Sequence, residues 1–232
     1  MLTNNDIIYN ITKNILSDCK DKSIDIRLFG SVALLFLCSK NNKNISNFGR
    51  MIADIDIIVM PKHVAMLENY FLKQGYEANR QIKMLHGNQR RSFYAENNIS
   101  IDVFIGNITL CQDISILDRF SLSYPTIPPT DLFLTKIQKI SLSEWDVFDI
   151  NFILEHININ DCQYIVELSS KTWNWWKTLN TNISFILEKD ISDNNRNLLI
   201  VLLDMINSNN KTINWKIRNI IGEKTRWYND VE

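Results

Sequence analysis

The sequence has few of the residues that define cross-linked or fibrous proteins. Its 232 residues include only four cysteines, four prolines and six glycines. The cysteines and the three histidines are scattered, and no CxxC pair occurs. Such spacing argues against a His/Cys zinc site and favours buried thiols in a reducing cytoplasm.

Long apolar runs and an excess of one charge are also missing. The longest unbroken apolar run covers residues 32–38, far short of the roughly 20 residues that a membrane helix needs. The first nine residues lack the basic start and apolar core of a signal peptide, so we expect a cytoplasmic protein with no membrane partner. Lys and Arg number 25 against 26 Asp and Glu. Any contact with nucleic acid must therefore be local, because duplex-wrapping proteins usually carry a strong basic excess.

What is present is an ordinary globular composition, 45% hydrophobic and 22% charged, long enough for one large domain or two small ones. Periodicity predicts helices over residues 3–20, 32–38 and 62–74 and strands over 25–29 and 54–60. Three further strands are predicted over 79–85, 91–96 and 99–105, joined by short turns such as Asn97-Asn98 into an antiparallel meander. The order of elements predicts an α+β fold around a mixed sheet.

The pattern changes at the proline-rich residues 124–129. Beyond them, only helices are predicted, over 130–140, 143–156, 161–170, 173–189, 194–207 and 212–222. We therefore predict a sheet-bearing domain over residues 1–123 and an all-helical domain over 124–232.

The sharpest candidate for chemistry is the Asp54-Ile55-Asp56-Ile57 segment. Side chains alternate along a strand, so Asp54 and Asp56 share one face and the isoleucines take the other. Two adjacent carboxylates need a cation or a proton to relieve their repulsion, and they suit Mg²⁺. The alternative is an exposed strand face, where Asp-x-Asp is common.

Asp102 supplies a possible third carboxylate. Ile101, Val103 and Ile105 form one face of their strand, and Asp102 lies in the middle of the other face. If this strand lies beside the Asp54 strand, three carboxylates converge on one sheet face, enough for two divalent ions.

Gly30 and Ser31 form the turn between the first strand and the next helix. The first backbone N–H groups of a helix, together with its dipole, suit a phosphate, and the serine hydroxyl adds a donor. An ordinary strand-to-helix turn with a serine cap is the alternative.

The order strand, Gly30-Ser31, helix, Asp54-x-Asp56 and then Asp102 resembles the nucleotidyltransferase superfamily that includes DNA polymerase β and kanamycin nucleotidyltransferase. Further segments look like the small bacterial nucleotidyltransferases related to lincosamide-modifying enzymes and abortive-infection type II toxins. These segments are Arg50-x-x-Ala53-Asp54, Gly87-Asn88 with Arg90-Arg91, Asp131-Leu-x-Leu-Thr-Lys136-Ile-Gln-Lys139 and Asp146-x-x-Asp149. One departure is Phe29, which replaces the first of the two glycines usual in that family's first motif.

The resemblance implies an NTP substrate and a Mg²⁺ or Mn²⁺ cofactor held by Asp54, Asp56 and Asp102, with Asp102 also acting as base. It implies that Gly30, Ser31, Arg50, Lys136, Lys139 and Asp149 contribute to nucleotide binding. The reaction would transfer a nucleoside monophosphate to a hydroxyl acceptor and release pyrophosphate. We expect this site to lie between the two predicted domains.

Several alternatives remain at this stage. The acceptor could be a small molecule, as in antibiotic resistance, or a tRNA or partner protein, as in the toxins. A catalytically silent nucleotide-binding module is a third possibility. Lys136 and Lys139 could be a solvated helix face, Asp149 could pair with an arginine, and Arg90 and Arg91 could be hairpin surface charges or contacts to an acceptor phosphate.

Overall fold

The computed structural model describes residues 3–40, 45–95 and 99–229. The chain divides into two compact units, each assembled from more than one stretch of sequence. Met1–Ile108 and Ser115–Pro128 form the first, and Thr109–Ile114 and Pro129–Glu232 form the second.

The first unit is α+β, as predicted. Its helices are α1 (Asn4–Asp21), α2 (Gly30–Lys40), α3 (Val64–Lys73) and α4 (Arg80–His86). Its sheet contains strands β1 (Ile26–Phe29), β2 (Asp54–Val59), β3 (Glu77–Ala78), β4 (Arg90–Tyr94) and β5 (Ser100–Ile105). Short 3₁₀ turns cover Ile45–Asn47, Pro61–His63 and Leu117–Leu122.

Helix α1 begins where its sequence supplies a cap. The Thr3 hydroxyl accepts from the backbone N–H of Asp6, and the Asp6 carboxylate accepts from the backbone of Thr3. These reciprocal bonds satisfy N–H groups that a helix start leaves unpaired. Ile8 and Ile15, two turns apart on one face, are fully buried, as the amphipathic pattern predicts.

The sheet is mixed, with strand order β1-β2-β5-β4-β3. Strands β2 and β5 are parallel, whereas β1 with β2, β5 with β4 and β4 with β3 are antiparallel. The face that carries Ile55, Ile57, Ile101 and Val103 is almost completely buried. This apolar face anchors the sheet in the core, so the opposite face is the one left for polar side chains.

The second unit is helical, with α5 (Pro129–Ile137), α6 (Glu144–Leu154), α7 (Gln163–Lys171), α8 (Trp173–Leu187), α9 (Asp193–Ser208) and α10 (Ile213–Ile221). Its inserted segment, Thr109–Ile114, ends with the short strand β7 (Asp113–Ile114), and the short strand β6 (Ile108–Thr109) spans the start of the segment. The Trp173 and Trp175 side chains are buried in its core. All six predicted helices are present.

The prediction of a strand over residues 79–85 is wrong, because this stretch forms α4. The Asn79 side chain accepts hydrogen bonds from the backbone N–H groups of Gln81 and Ile82, both at 3.1 Å. That cap starts a helix, and the apolar residues that suggested a strand, such as Met84, are exposed. The meander instead comprises β3, β4 and β5, while residue 96 and the predicted Asn97-Asn98 turn lie outside the described residues.

Within the described ranges, no helix combines the length and the apolar character needed to cross a membrane.

Candidate active site

Strand β2 presents two carboxylates on one face. Asp54 and Asp56 are half-buried and alternate with Ile55 and Ile57, which are fully buried on the other face. The alternation therefore has the predicted form, with an apolar side in the core and an acidic side left partly accessible to solvent.

Asp102 lies beside this pair. In the parallel β2–β5 ladder, Asp56 is in register with Asp102, and Asp54 is in register with Ser100. Residues in register point to the same face of a sheet, so the three carboxylates share one face. Because β2 and β5 are paired, the three carboxylates converge on one face of the sheet, as the sequence predicts for neighbouring strands.

Gly30 brings the start of α2 directly against Asp56. Phe29, the last residue of β1, is in register with Asp56, and Gly30 follows with a φ of +63°. A Cβ atom at position 30 would lie 2.0 Å from Asp56 Oδ2. The carboxylate thus occupies space that any other side chain would need, so both the left-handed backbone and the close approach require glycine here.

Ser31 is the second residue of α2 and is buried. The first turn of α2 contains no acidic residue, so Asp56, supplied by β2, is the carboxylate placed beside this helix start. A negative group next to the first turn is favoured by the helix dipole.

Asp102 has a partner that the sequence analysis did not assign. Its Oδ2 accepts a hydrogen bond of 2.8 Å from Nη2 of Arg90, the first residue of β4. The Arg90 guanidinium also lies over the Phe104 ring, 5.1 Å from its centroid. Arg90 and Ser92 lie on the acidic face of β4, and the buried Phe93 lies on the other face. The alternation in the sequence predicts this face for Arg90, but only the strand pairing shows which carboxylate it contacts.

The carboxylate face fits a divalent cation in part. Across the part of the chain that the structure describes, no group of three or more His, Cys, Asp or Glu side chains is arranged to hold a metal. Asp54 and Asp56 nevertheless provide the hard oxygen donors that Mg²⁺ prefers, and Mg²⁺ is commonly held by one or two carboxylates plus substrate phosphates. The pair therefore fits a cation that arrives with a nucleotide, while a ready three-carboxylate site is not formed.

Arg50 lies in a different cavity of the first unit. That cavity has a volume of about 590 Å³, and its described lining is Thr3, Asn4, Asn5, Ser46, Gly49, Arg50 and Met51. The Arg50 carbonyl accepts a hydrogen bond of 2.9 Å from the Asn5 side chain. None of the three candidate carboxylates belongs to this described lining, so a nucleotide-binding role for Arg50 stays a prediction.

In the helical unit, Lys136 and Lys139, which the sequence predicts to bind nucleotide, are paired with carboxylates of α6. Lys136 Nζ lies 2.8 Å from Asp149 Oδ2, with side chains 11% and 0% exposed. Lys139 Nζ donates to Asp146 Oδ1 at 2.6 Å. Asp149 is thus paired with a lysine, and a nucleotide role for these residues stays a prediction.

Asp146 also caps α6. Its Oδ2 accepts from the Ser143 backbone N–H at 3.0 Å and from the Ser143 hydroxyl at 2.8 Å. Burial acts to raise the pKa of Asp146, but the bonds from Lys139 and Ser143 outweigh it and leave the pKa below its ordinary value of 3.8. Ser143 and Asp146 thus form a reciprocal capping box at the start of α6.

Among solved structures, the chain is similar to an antigenic nucleotidyltransferase-like protein from Paracoccidioides brasiliensis. The identity is 14%, the match covers 88% of this chain and 94% of that one, and the TM-score is 0.47. A candidate nucleotidyltransferase from H. pylori matches with 13% identity over 89% and 95% of the two chains, with a TM-score of 0.37. Neither a protein-family model nor a curated protein matches the sequence.

Proposed function

We propose that the protein is a metal-dependent nucleotidyltransferase that moves a nucleoside monophosphate from an NTP to a hydroxyl acceptor. The observation that best supports this proposal is the contact between Gly30 and Asp56. A Cβ at Gly30 would lie 2.0 Å from the Asp56 carboxylate, so the helix start suited to phosphate adjoins the carboxylates suited to a cation.

Each element of this site has a chemical role in the proposal. The N-terminal turn of α2 and the Ser31 hydroxyl would bind the terminal phosphates of the NTP. Asp54 and Asp56 would hold the divalent cation, which when bound would offset negative charge on the phosphates. Asp102 would complete the cation site and take the proton of the acceptor hydroxyl.

The covalent change is a substitution at the α-phosphorus. The acceptor oxygen forms a bond to that phosphorus, the bond between the α-phosphorus and its bridging oxygen to the β-phosphate breaks, and pyrophosphate leaves. In such a reaction the protein contributes mainly alignment and charge stabilisation. The Gly30 turn serves alignment, because it fixes the distance between the phosphate-binding turn and the acidic face.

The proposal is tested by incubating the protein with each α-labelled NTP, Mg²⁺, and the RNA, protein or small-molecule fraction of a cell extract. We expect label from one NTP in one fraction, together with pyrophosphate. Asp56→Asn should reduce the transfer by about 100-fold or more, since it removes a carboxylate from a site that depends on charge.

Asp25→Asn is the matched control. Asp25 directly precedes β1 and lies near the C-terminal end of β2, whereas Asp54 is at the N-terminal end. The Asp25 side chain is 53% exposed and lies near Lys62 and His63. This variant should transfer label at the wild-type rate. Unchanged transfer by Asp56→Asn would contradict the proposal. NTP binding without transfer to any fraction would instead indicate a silent nucleotide-binding module.

A further inference from the structure

We infer that Arg90 is a built-in counter-ion of Asp102, and that a divalent cation must compete with it for this carboxylate. The inference rests on the proposed function, because it concerns the cation site of that reaction. It assigns to Arg90 a positioning role: the residue controls when the third carboxylate becomes available.

The strand register explains how Arg90 reaches Asp102. Directly opposite Asp102 on β4 is Ser92, while Arg90 is in register with Phe104. The Arg90 side chain therefore extends diagonally from β4 to Asp102 on β5, two residues from its register partner Phe104. Long side chains can cover this distance. It ends in a bond of 2.8 Å between Nη2 and Asp102 Oδ2. The Asp102 side chain is 14% exposed and that of Arg90 34%, so the pair is partly shielded from solvent.

The environment of Arg90 also permits its release. The buried Nε atom has no hydrogen-bond partner, so the guanidinium is only partly satisfied where it lies. Arg90 is the first residue of β4, and the nearest preceding helix, α4, has no buried residue. A side chain at a strand end, beside a loosely packed element, can leave its partner without disrupting the core.

The arrangement accounts for the incomplete metal site. Arg90 bonds to Asp102. It does not bond to the other two carboxylates of this face, Asp54 and Asp56. A guanidinium and a hard cation compete for the same carboxylate oxygens. The protein without ligand should thus bind a divalent cation weakly, and loss of Arg90 should strengthen that binding.

The experiment measures Mn²⁺ binding to the full-length protein from the free Mn²⁺ signal in electron paramagnetic resonance. Arg90→Met should lower the Mn²⁺ dissociation constant by about three- to tenfold, the scale expected for a partly exposed ion pair next to metal ligands. Arg91→Met is the matched control. Arg91 follows on the opposite face and pairs with Glu68, so its loss should leave the constant unchanged.

Asp102→Asn separates direct competition from a general charge effect. If Arg90 acts by occupying Asp102, Arg90→Met should have no effect in the Asp102→Asn background. Thermal unfolding checks that the variants fold, and Arg90→Lys, which keeps the charge but loses the two-pronged donor, should give an intermediate affinity. If Arg90→Met itself is unfolded, Arg90→Lys replaces it in the same cycle.

Two results would overturn the inference. The first is equal Mn²⁺ affinity in the wild type and Arg90→Met. The second is an Arg90→Met effect that persists undiminished in the Asp102→Asn background. In both cases, the proposed function would still be supported if Asp56→Asn abolishes Mn²⁺ binding. Absence of Asp56-dependent binding in every variant would remove the cation from the proposed function as well.

Discussion

At the scale of single residues, the site depends on an absent side chain as much as on those present. Gly30 has a φ of +63°, and the Asp56 carboxylate fills the space beside its Cα. A side chain at this position would both strain the backbone and displace a proposed cation ligand.

Gly30→Ala should therefore destabilise the protein and abolish Asp56-dependent Mn²⁺ binding. We expect a loss of about 2–4 kcal/mol in the free energy of unfolding, from a left-handed alanine plus overpacking. Gly75→Ala is the control: Gly75 has a φ of +82° and nothing within 4 Å of its would-be Cβ, so only the backbone cost applies. Urea unfolding of both variants gives the comparison, and equal losses with intact Mn²⁺ binding would contradict the steric explanation.

Asp146 provides a prediction about pH. Its pKa is held below 3.8 by Lys139 and Ser143 against the effect of burial. A carboxylate with a lowered pKa stabilises the folded state above its unfolded value, and that stability is lost as the pH falls through the folded value. Asp146→Asn should cost about 1–3 kcal/mol at pH 7, and the difference from wild type should shrink below pH 3.8.

Urea unfolding of wild type and Asp146→Asn at pH 7 and pH 3 measures this difference. Asp161→Asn is the control, because Asp161 belongs to a second capping box, with a bond of 3.2 Å to the Asn158 backbone, but is exposed. Its effect should be small at both values. A pH-independent loss in Asp146→Asn would show that the cap is maintained by geometry rather than by charge.

At the scale of elements, periodicity was a sound guide wherever one face is buried. Helix α1 and strands β2 and β5 have apolar faces with the expected period, and their positions were predicted to within a few residues. Helix α4 is the exception, because the sequence predicts a strand there. None of its residues is buried, so its apolar residues follow no packing pattern. The Asn79 cap is the local signal for the helix.

The pairing of β2 with β5 could not be derived from the sequence. The two strands are separated by α3, β3, α4 and β4 along the chain, yet they are neighbours in the sheet. Nothing local specifies such a register. The convergence of Asp56 and Asp102 could therefore be stated only as a condition, and the Arg90 contact, which depends on a third strand, could not be predicted.

The α5–α6 pair yields a prediction about Lys136. The Lys136–Asp149 pair is buried, so Lys136→Met should cost about 3–5 kcal/mol because it breaks a buried ion pair by removing one charge. Lys136→Met combined with Asp149→Leu should recover most of that stability, since both charges are then absent. Lys139→Met should cost less, because Lys139 is 48% exposed.

Measuring unfolding and label transfer on the same variants separates structure from function. The resemblance implies that Lys136 contributes to nucleotide binding. If that is correct, the stable double variant should still fail to transfer label. A double variant that is stable and active would limit Lys136 to a structural role in the helical unit.

At the scale of the whole molecule, the units differ from the predicted domains in two places. Residues 124–128 belong to the first unit. There, Leu28 N–H bonds to the Pro125 carbonyl at 2.9 Å and Ile127 N–H to the Leu28 carbonyl at 3.0 Å. Thr109–Ile114 belongs to the second. Composition marked the proline-rich hinge near residue 124, but hydrogen bonds to distant partners leave no local signal in the sequence.

The inserted segment should therefore be necessary for the helical unit to fold alone. Gln112 is buried, and its backbone N–H donates to the Gln138 side chain at 2.9 Å. Its side-chain amide donates to the Thr178 hydroxyl at 3.2 Å and to the Trp227 carbonyl at 2.9 Å. Trp175 Nε1 also donates to the Asp113 carbonyl at 3.2 Å. Without the segment, Gln138 and two residues of α8, Thr178 and Trp175, would lose these partners, at about 0.5–1.5 kcal/mol for each net bond.

A fragment of residues 107–232 should thus unfold cooperatively in urea, whereas a fragment of residues 124–232, cut at the predicted boundary, should be several kcal/mol less stable or unfolded. Far-ultraviolet circular dichroism follows both transitions. Gln112→Ala in the longer fragment tests the assignment, because it removes two side-chain bonds while retaining the backbone one, and it should fall between the two. Equal urea midpoints for the two fragments would mean that α5 to α10 fold as a domain without the inserted segment. The predicted boundary at residue 124 would then describe the folding units better than the division that includes Thr109–Ile114.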